Sequence, residues 1–590
     1  MCGFSGCFFS KSNSIEKNFN PLPLYHRGPD DFQSYENDFV KINFYRLKIL
    51  GGSHGVQPMI SENKNWLMVF NGCIYNYIEL AKEINRPDLI KKGDSRVLLE
   101  LLSLKGFSSL KKLNGMFSLV LINIKKKKIY FIRDRFGIKP QYYHIKNDAI
   151  YFSSEIKSTI NIHKLRIDFK QINKFLESEL YPETPNTFFK DIYEIKPGTI
   201  NEFKNGKLNV KKFYDLEKQV KKLEKKKLGL EQFEKIFEKS IRLRLRSDVP
   251  ISLHFSGGID STAILCKLRD IYKKKFPIKI FFINYGGKNN LDLLRAKKIT
   301  SLLKLRLKVI NFNSTNIKPV AQKVQYFMDE PYGGVPLLGM SVLNRMGKKN
   351  NIPVSLEGQG SDEIFAGYFS HIILLMKDLL NKKKDNTILN KLKNNFQLDN
   401  KDILRTADIL IKNNFGGSTD VSKVVNSSIK IKKYKTNLKT IEFFNIFYNK
   451  LPRVLRFHDR ISAGHSRELR FPFLDHNLVE YALALKIKDR FKDGWPKFPL
   501  YNLINKHMPK SIFEEKKRSN NIDEKKILLK NKKWILKNIE ELKKIKKIKK
   551  KYFIKFNKNF INKKIHNSFH LWQLININIF VENIRKLKKQ

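Results

Sequence analysis

The chain has 590 residues, 41% of them apolar, with 115 Lys and Arg against 56 Asp and Glu and a formal net charge of +59. That length suggests two to four domains with sizeable cores. No run approaches the roughly 18 apolar residues of a membrane span, the N-terminus lacks the pattern of a secretory signal, and Cys2, Cys7, Cys73 and Cys266 are too few and too scattered for a disulfide framework or a zinc site. The expectation is a soluble, cytoplasmic protein. The basic charge raises nucleic acid or an anionic membrane surface as partners. However, Lys, Asn and Ile are inflated everywhere, including in "LLNKKKDNTILNKLKNN", read as a loop. An A- and T-rich coding sequence gives that pattern by default. Compositional drift is therefore the favoured reading, with anionic substrates still attracted.

In chain order, residues 1 to about 210 read as strands and short turns. "WLMVFNG", "MFSLVLINI", "KKIYFIRD" and "AIYFSSE" are β-rich, and one helical stretch near "YIELAKEI" interrupts them. "DLEKQVKKLEKKKLG" shows no convincing apolar face and reads as a linker or solvated helix. From about 230 the texture changes to alternation. The helical "LEQFEKIFEKSIRLRLRS" precedes the strand "PISLHF", the loop "SGGIDS" and the helix "TAILCKLRDIY". "IKIFFINY", "LLRAKKITSLL", "LRLKVINF" and "IPVSLEG" continue it. Strands alternating with helices predict a parallel α/β sheet. Beyond about 365 the chain reads as mainly helical, and "EELKKIKKIKKKYFIKFNKNFINKK" as a solvated basic helix or loop.

The chemistry of the front half starts at "MCGFSG". Once Met1 is removed, Cys2 carries both a thiol and an α-amino group of pKa near 8, a built-in base. Alone, it is an ordinary near-terminal cysteine. "HRGPDD" sets Arg27, Gly28, Pro29 and Asp30 in a tight turn. Arg46 in "FYRLKIL" suits bidentate capture of a carboxylate. Asn71 and Gly72 at a strand end form a plausible oxyanion hole, and Asp94 in "KKGDSRVLL" can bind an ammonium. Together they describe the cleavage of an amino-acid side-chain amide, which is glutamine.

In the back half, "SDVPISLHFSGGIDST" joins a strand, a loop of Ser256, Gly257 and Gly258, and a helix start at Asp260 and Ser261. Glycine amides and a helix N-terminus suit an anion, and no Walker pattern is present. "VSLEGQGSDEIFAGY" repeats the logic, with Glu357, Gly358, Gln359 and Gly360 in a loop before Asp362. Ligands bind outside the carboxyl ends of such strands, so the two loops can face one site. Asp260 and Asp362 are candidate Mg²⁺ ligands, although acids at a helix N-terminus serve equally as caps. Ile283 is a candidate adenine wall or plain core.

"MCGFSG", "HRGPDD", "NGCIYN", "LNGMFSLVLIN" and "RDRFGIKPQYY" resemble, in order, the class II glutamine amidotransferases. "SGGIDS" resembles the pyrophosphate loop of ATP pyrophosphatases. "LPRVLRFHDRISAGHSRELRFPFLDHNLVEYA", "DEPYGGVP" and "HLWQLININIF" resemble the asparagine synthetases over both halves. The resemblance implies an α/β protein: an N-terminal αββα sandwich of the Ntn-hydrolase type over 1–210, a linker over 211–230, and a parallel α/β synthetase domain with a basic helical extension over 231–590. It makes Cys2 the nucleophile, Asn71 and Gly72 the oxyanion hole, Arg46 and Asp94 the glutamine clamps, and Lys497 in "WPKFPLYN" a phosphate contact, although Pro499 interrupts what is normally a helix. Glutamine, Mg-ATP and a carboxylate, by default aspartate, are the implied partners, with no membrane, no specific nucleic acid, and a homodimer left open. Two positions depart from the family. "NGCIYN" has Cys73 where that branch usually has Glu, so Asp94 is expected to hold the substrate ammonium alone. "GQGSDE" has Gln359 where aspartate-specific members have Glu, which marks a branch. Cys7 and Cys73 are given no role. The rivals are another acceptor acid, such as a polysaccharide sugar acid or a peptide, and a basic nucleic-acid-binding scaffold.

Overall fold

The computed structural model describes residues 2–9, 19–178, 180–286, 290–382, 386–412, 437–513, 523–549 and 568–589. Met1, whose removal the sequence reading invokes, and residues 550–564 of the basic stretch lie outside them.

In the front half two six-stranded antiparallel sheets face each other. One runs Tyr193–Glu194, Tyr142–Lys146, Ala149–Ser153, Gly3–Phe9, Val40–Arg46, Asp31–Asn37 from edge to edge. The other runs Lys207–Lys212, Thr199–Lys204, Lys128–Arg133, Gly115–Asn123, Trp66–Ile74, Met59–Ile60. The period-two alternation of strands explains the layering. Phe4, Phe8, Ile42, Phe44, Leu67, Val69, Val120 and Ile122 meet between the sheets. Met68, Phe70, Leu119 and Leu121 point outward beneath the helices Tyr77–Glu83 and Asp94–Lys105. Cys7, Phe9 and Tyr151 point out of the other sheet, under the helix Phe169–Ser178 and under helices of the back half. The αββα sandwich is thus present, but with more helix than the single stretch expected. "DSRVLLELLSLK" is buried along most of its length, including Val97, Leu98, Leu99, Leu101 and Leu102, so it lacks the one-sided stripe that marks an amphipathic helix.

In the back half the strands Leu307–Asn311, Lys279–Asn284, Ile251–His254, Val354–Leu356 and Glu468–Arg470 form one five-stranded sheet, in that order. Every pairing is parallel. The first four were legible as apolar runs; the fifth is three residues, Glu-Leu-Arg, all buried. Three readings need correction. "DLEKQVKKLEKKKLG" contains the helix Leu216–Leu223, capped by Asp215 and docked through Leu216 and Val220: an i, i+4 pair is enough of an apolar face for two turns. Asn386–Phe396, read as loop, is a helix seated on Leu389 and Leu392. The described part of the basic stretch buries Leu542, Ile545 and Ile548 and is therefore docked. The described helices include none long and apolar enough to cross a membrane.

Candidate active sites

Cys2 immediately precedes Gly3–Phe9, a central strand of the first sheet, and packs against the inter-sheet core. One cavity is lined by Cys2, Arg46, Gly72, Cys73 and Asp94, with Glu468 of the back half on its wall. Residues separated by the whole sandwich are brought together because strand ends converge there. Burial pushes the Cys2 thiol up. Arg46 is buried; its Nη2 donates to the carbonyls of Gly52 at 2.5 Å and Leu50 at 3.4 Å, while Nη1 is buried without a hydrogen-bond partner. The guanidinium is thus anchored on one arm and open on the other. Asn71 is 0% exposed, and both polar atoms of its amide lack partners. Leaving a buried amide unpaired costs roughly 1–3 kcal/mol; Asn71 itself does not line the cavity, whereas its strand neighbour Gly72 does. Gly72 cannot be replaced, since a Cβ there would lie 2.1 Å from the carbonyl oxygen of Met116. Asp94 starts its helix and accepts from the Ile74 amide at 2.9 Å; burial raises its carboxyl to about 6. It is not the only carboxylate on this wall, because Glu468 shares the cavity.

Behind the thiol lies a buried lattice of ion pairs that the motifs did not disclose. Arg27, read only as a turn residue, is 0% exposed. Its Nε donates to the Cys2 carbonyl at 3.0 Å, Nη1 to Glu155 at 2.9 Å and Nη2 to Asp459 of the back half at 2.9 Å. Lys157 joins Glu155 to Asp329, the latter at 2.8 Å. Arg460 approaches Glu155 at 3.1 Å. Arg456 bridges Glu194 at 2.9 Å and Glu330 at 3.3 Å. Arg456, Asp459 and Arg460 sit on the helix Lys450–Ala463 and are buried at the junction of the halves, while Asp329 and Glu330 follow the helix Lys318–Met328.

The two glycine loops meet at the carboxyl end of the parallel sheet. Gly257 has φ +69°, so the turn after Ile251–His254 favours glycine. Ser261 receives the Ser256 amide at 3.2 Å and donates to the Gly258 carbonyl at 3.2 Å, which ties loop to helix. Asp260 accepts from Lys497 Nζ at 2.7 and 2.9 Å and from Ser361 at 2.7 Å. The same Nζ lies 2.6 Å from Asp362. Flanked by two carboxylates, Lys497 has its pKa raised. Two carboxylates converging on one cation are the donor set that suits Mg²⁺ arriving with a polyphosphate; among the described residues no group of three or more His, Cys, Asp or Glu could hold a metal by itself. Pro499 does not interrupt the helix after Lys497. Phe498–Ile504 is helical, with proline in its first turn, where its missing N–H is no loss.

Glu357 differs from expectation in its partners. Its two oxygens lie 2.5 Å from Nδ1 of His254 and 2.5 Å from Nδ1 of His458. Arg467 donates to His254 Nε2 at 3.1 Å, so the His254 proton sits on Nδ1 and is given to Glu357. These imidazoles hold the Glu357 carboxyl at about 2, and its backbone N–H donates to the Arg470 carbonyl at 3.0 Å, so both are engaged within the protein. Gln359 and Ile283 are half-buried; Ile283 lies near the end of its strand against two apolar clusters.

A family model described as a glutamine amidotransferase domain matches residues 1–214, and one described as asparagine synthase matches residues 232–582, more than half of the chain. The chain is 26% identical to asparagine synthetase [glutamine-hydrolyzing] 1 of Bacillus subtilis over 98% of its own length and 95% of the relative's. It is 28% identical to a putative asparagine synthetase [glutamine-hydrolyzing] 2 of Methanocaldococcus jannaschii over 65% and 78%. With asparagine synthetase [glutamine-hydrolyzing] of Gallus gallus the identity is 25% over 87% and 84%.

Proposed function

The chain belongs to the asparagine synthase family, and on that premise we propose that it is a glutamine-dependent amide-forming ligase whose acceptor is L-aspartate. In the front site the Cys2 sulfur attacks the side-chain amide carbon of glutamine. The α-amino group freed by loss of Met1 takes the thiol proton, directly or through water. Asn71 Nδ2 and the Gly72 amide hold the oxyanion, the C–N bond breaks, ammonia leaves, and water releases glutamate from the thioester. Arg46 holds the α-carboxylate and Asp94 the α-ammonium. The observation that carries this reading is the convergence of Cys2, Arg46, Gly72 and Asp94 on one cavity, with an unpaired Arg46 Nη1 and an unpaired Asn71 amide.

In the back site, ATP phosphates lie on the Ser256–Gly258 loop, with Ser261 bracing it, Lys497 as a phosphate contact, and Glu357–Gly358 and Ile283 closing the nucleotide pocket. Asp260 and Asp362 would hold Mg²⁺, which neutralises phosphate charge when bound. A carboxylate oxygen of the acceptor attacks the α-phosphorus and pyrophosphate leaves. Ammonia, passed between the halves inside the protein, attacks the acyl carbon, loses a proton, and AMP departs. Gln359 orients the acceptor; an amide cannot take that proton. We place the domain boundary between about 210 and 230 and the reaction in the cytoplasm, where ATP and glutamine are supplied.

The test is Cys2→Ala. Glutamine hydrolysis should disappear while pyrophosphate release with aspartate, ATP and added ammonia continues at the wild-type rate. Normal hydrolysis by the variant would refute the front-site assignment. A wild-type enzyme active with another acid but not with aspartate would refute the acceptor.

A further inference from the structure

We infer that Glu468, a residue of the back half, forms part of the glutamine-binding wall of the front pocket, where its carboxylate receives the substrate's α-ammonium beside Asp94. The inference deepens the reading of the front site and rests on it.

The cavity wall carries one guanidinium, Arg46, with its buried and unpaired Nη1, and two buried carboxylates, Asp94 and Glu468. A substrate bearing one carboxylate and one ammonium finds a counter-charge there for each group. Position 73 supplies no charge there. Its thiol is buried and lies 3.7 Å from Arg470 Nη2. Glu468 is held by its neighbour: Arg470 Nε donates to Oε1 at 2.8 Å, fixing the side chain and keeping its carboxyl below the usual range. It therefore stays ionised at pH values where Asp94, raised to about 6, begins to take up a proton. Glu468 opens the short strand Glu468–Arg470, the edge of the parallel sheet. The sheet of one half thus supplies a side chain to the pocket of the other, and the pocket is complete only when both are docked.

The competing explanation is that Glu468 only pairs with Arg470 and shapes the wall. The two are separated by comparing L-glutamine with glutaramic acid, the same molecule without the α-amino group. Glutamate or glutarate release is measured for wild type and Glu468→Gln, with Cys2→Ala as the blank. Ammonia-driven pyrophosphate release reports folding. For a lost charged contact the KM for L-glutamine should rise about 10- to 100-fold, while kcat/KM for glutaramic acid stays within about twofold. Glu468→Asp, which keeps the charge and the Arg470 pair, should raise only the glutamine KM, by less; it carries the test if the Gln variant fails to fold. An unchanged glutamine KM, or equal losses on both substrates, would overturn the inference. Wild-type protein that releases no glutamate from glutamine would instead overturn the front-site reading itself, and the inference with it.

Discussion

Replacing Asp94 by Asn should strengthen the fold while it weakens binding. Burial, aided by the charge of Glu468, moves the Asp94 carboxyl from 3.8 to about 6. A group that binds its proton more tightly when folded makes the ionised native state less stable, by 2.303RT for each unit. The cost is therefore about 3 kcal/mol well above pH 6, where the carboxyl is ionised in both states. It shrinks to about half that at pH 5 and vanishes below roughly pH 4, where both states are protonated. Asparagine carries no charge and keeps an oxygen for the Ile74 amide, which Asp94 accepts at 2.9 Å. The variant should thus melt about 2–3 °C above wild type at pH 8, and by about half as much at pH 5. Its glutamine KM should rise at least tenfold, as an ammonium loses its charged partner. Calorimetric melts at both pH values and a glutaminase assay measure the two effects. A variant that melts below wild type at pH 8, or an advantage that does not shrink at pH 5, would refute the argument.

The remaining predictions concern the two cationic junctions. Lys497→Met leaves Asp260 and Asp362 facing each other without the ammonium that lies 2.7 and 2.6 Å from them; pyrophosphate release should fall on the order of 10²-fold or more with glutamine hydrolysis spared, and a parallel loss of both activities would contradict two separate sites. Arg27→Met removes the guanidinium 2.9 Å from both Glu155 and Asp459 but leaves Lys157 and Arg460 on Glu155 and Lys139 3.5 Å from Asp459; the loss should cost less than the roughly 3–5 kcal/mol of a fully broken buried pair, seen as a lower melting temperature, and glutamine-driven synthesis should fall further than ammonia-driven synthesis, which does not need the Cys2 carbonyl held in place.

The strands Trp66–Ile74, Gly115–Asn123, Lys128–Arg133 and Ala149–Ser153, and four of the five in the parallel sheet, were legible because burial writes itself into local periodicity, and so were the glycine loops and the terminal cysteine. What escaped was set by distant partners. Arg27 and Asp459 are 432 positions apart, and neither carries a local mark of its burial; charges on the helix Lys450–Ala463 follow the same spacing whether they meet water or one another. Glu468 escaped because a three-residue strand offers no pattern to count. Nothing local in the sequence marks His254 and His458, which the fold sets on either side of Glu357. The helix Asn386–Phe396 was hidden by composition, since lysine and asparagine outweigh the two leucines that seat it.

The outward face of the first sheet has a consequence for modularity. Cys7, Phe9 and Tyr151 share one apolar cluster with Trp572, Ile575 and Phe580 from the final helix of the chain, and Gln573 of that helix donates to the Phe175 carbonyl at 3.1 Å. The amidotransferase portion is therefore roofed by the far end of the same polypeptide. Cut free near residue 214, it would lose this apolar cover, and Glu155 and Glu194 would lose Arg460 and Arg456 while keeping Arg27, Lys157 and Arg133. Such a fragment should therefore be less stable, and less active as a glutaminase, than the same portion within the full chain.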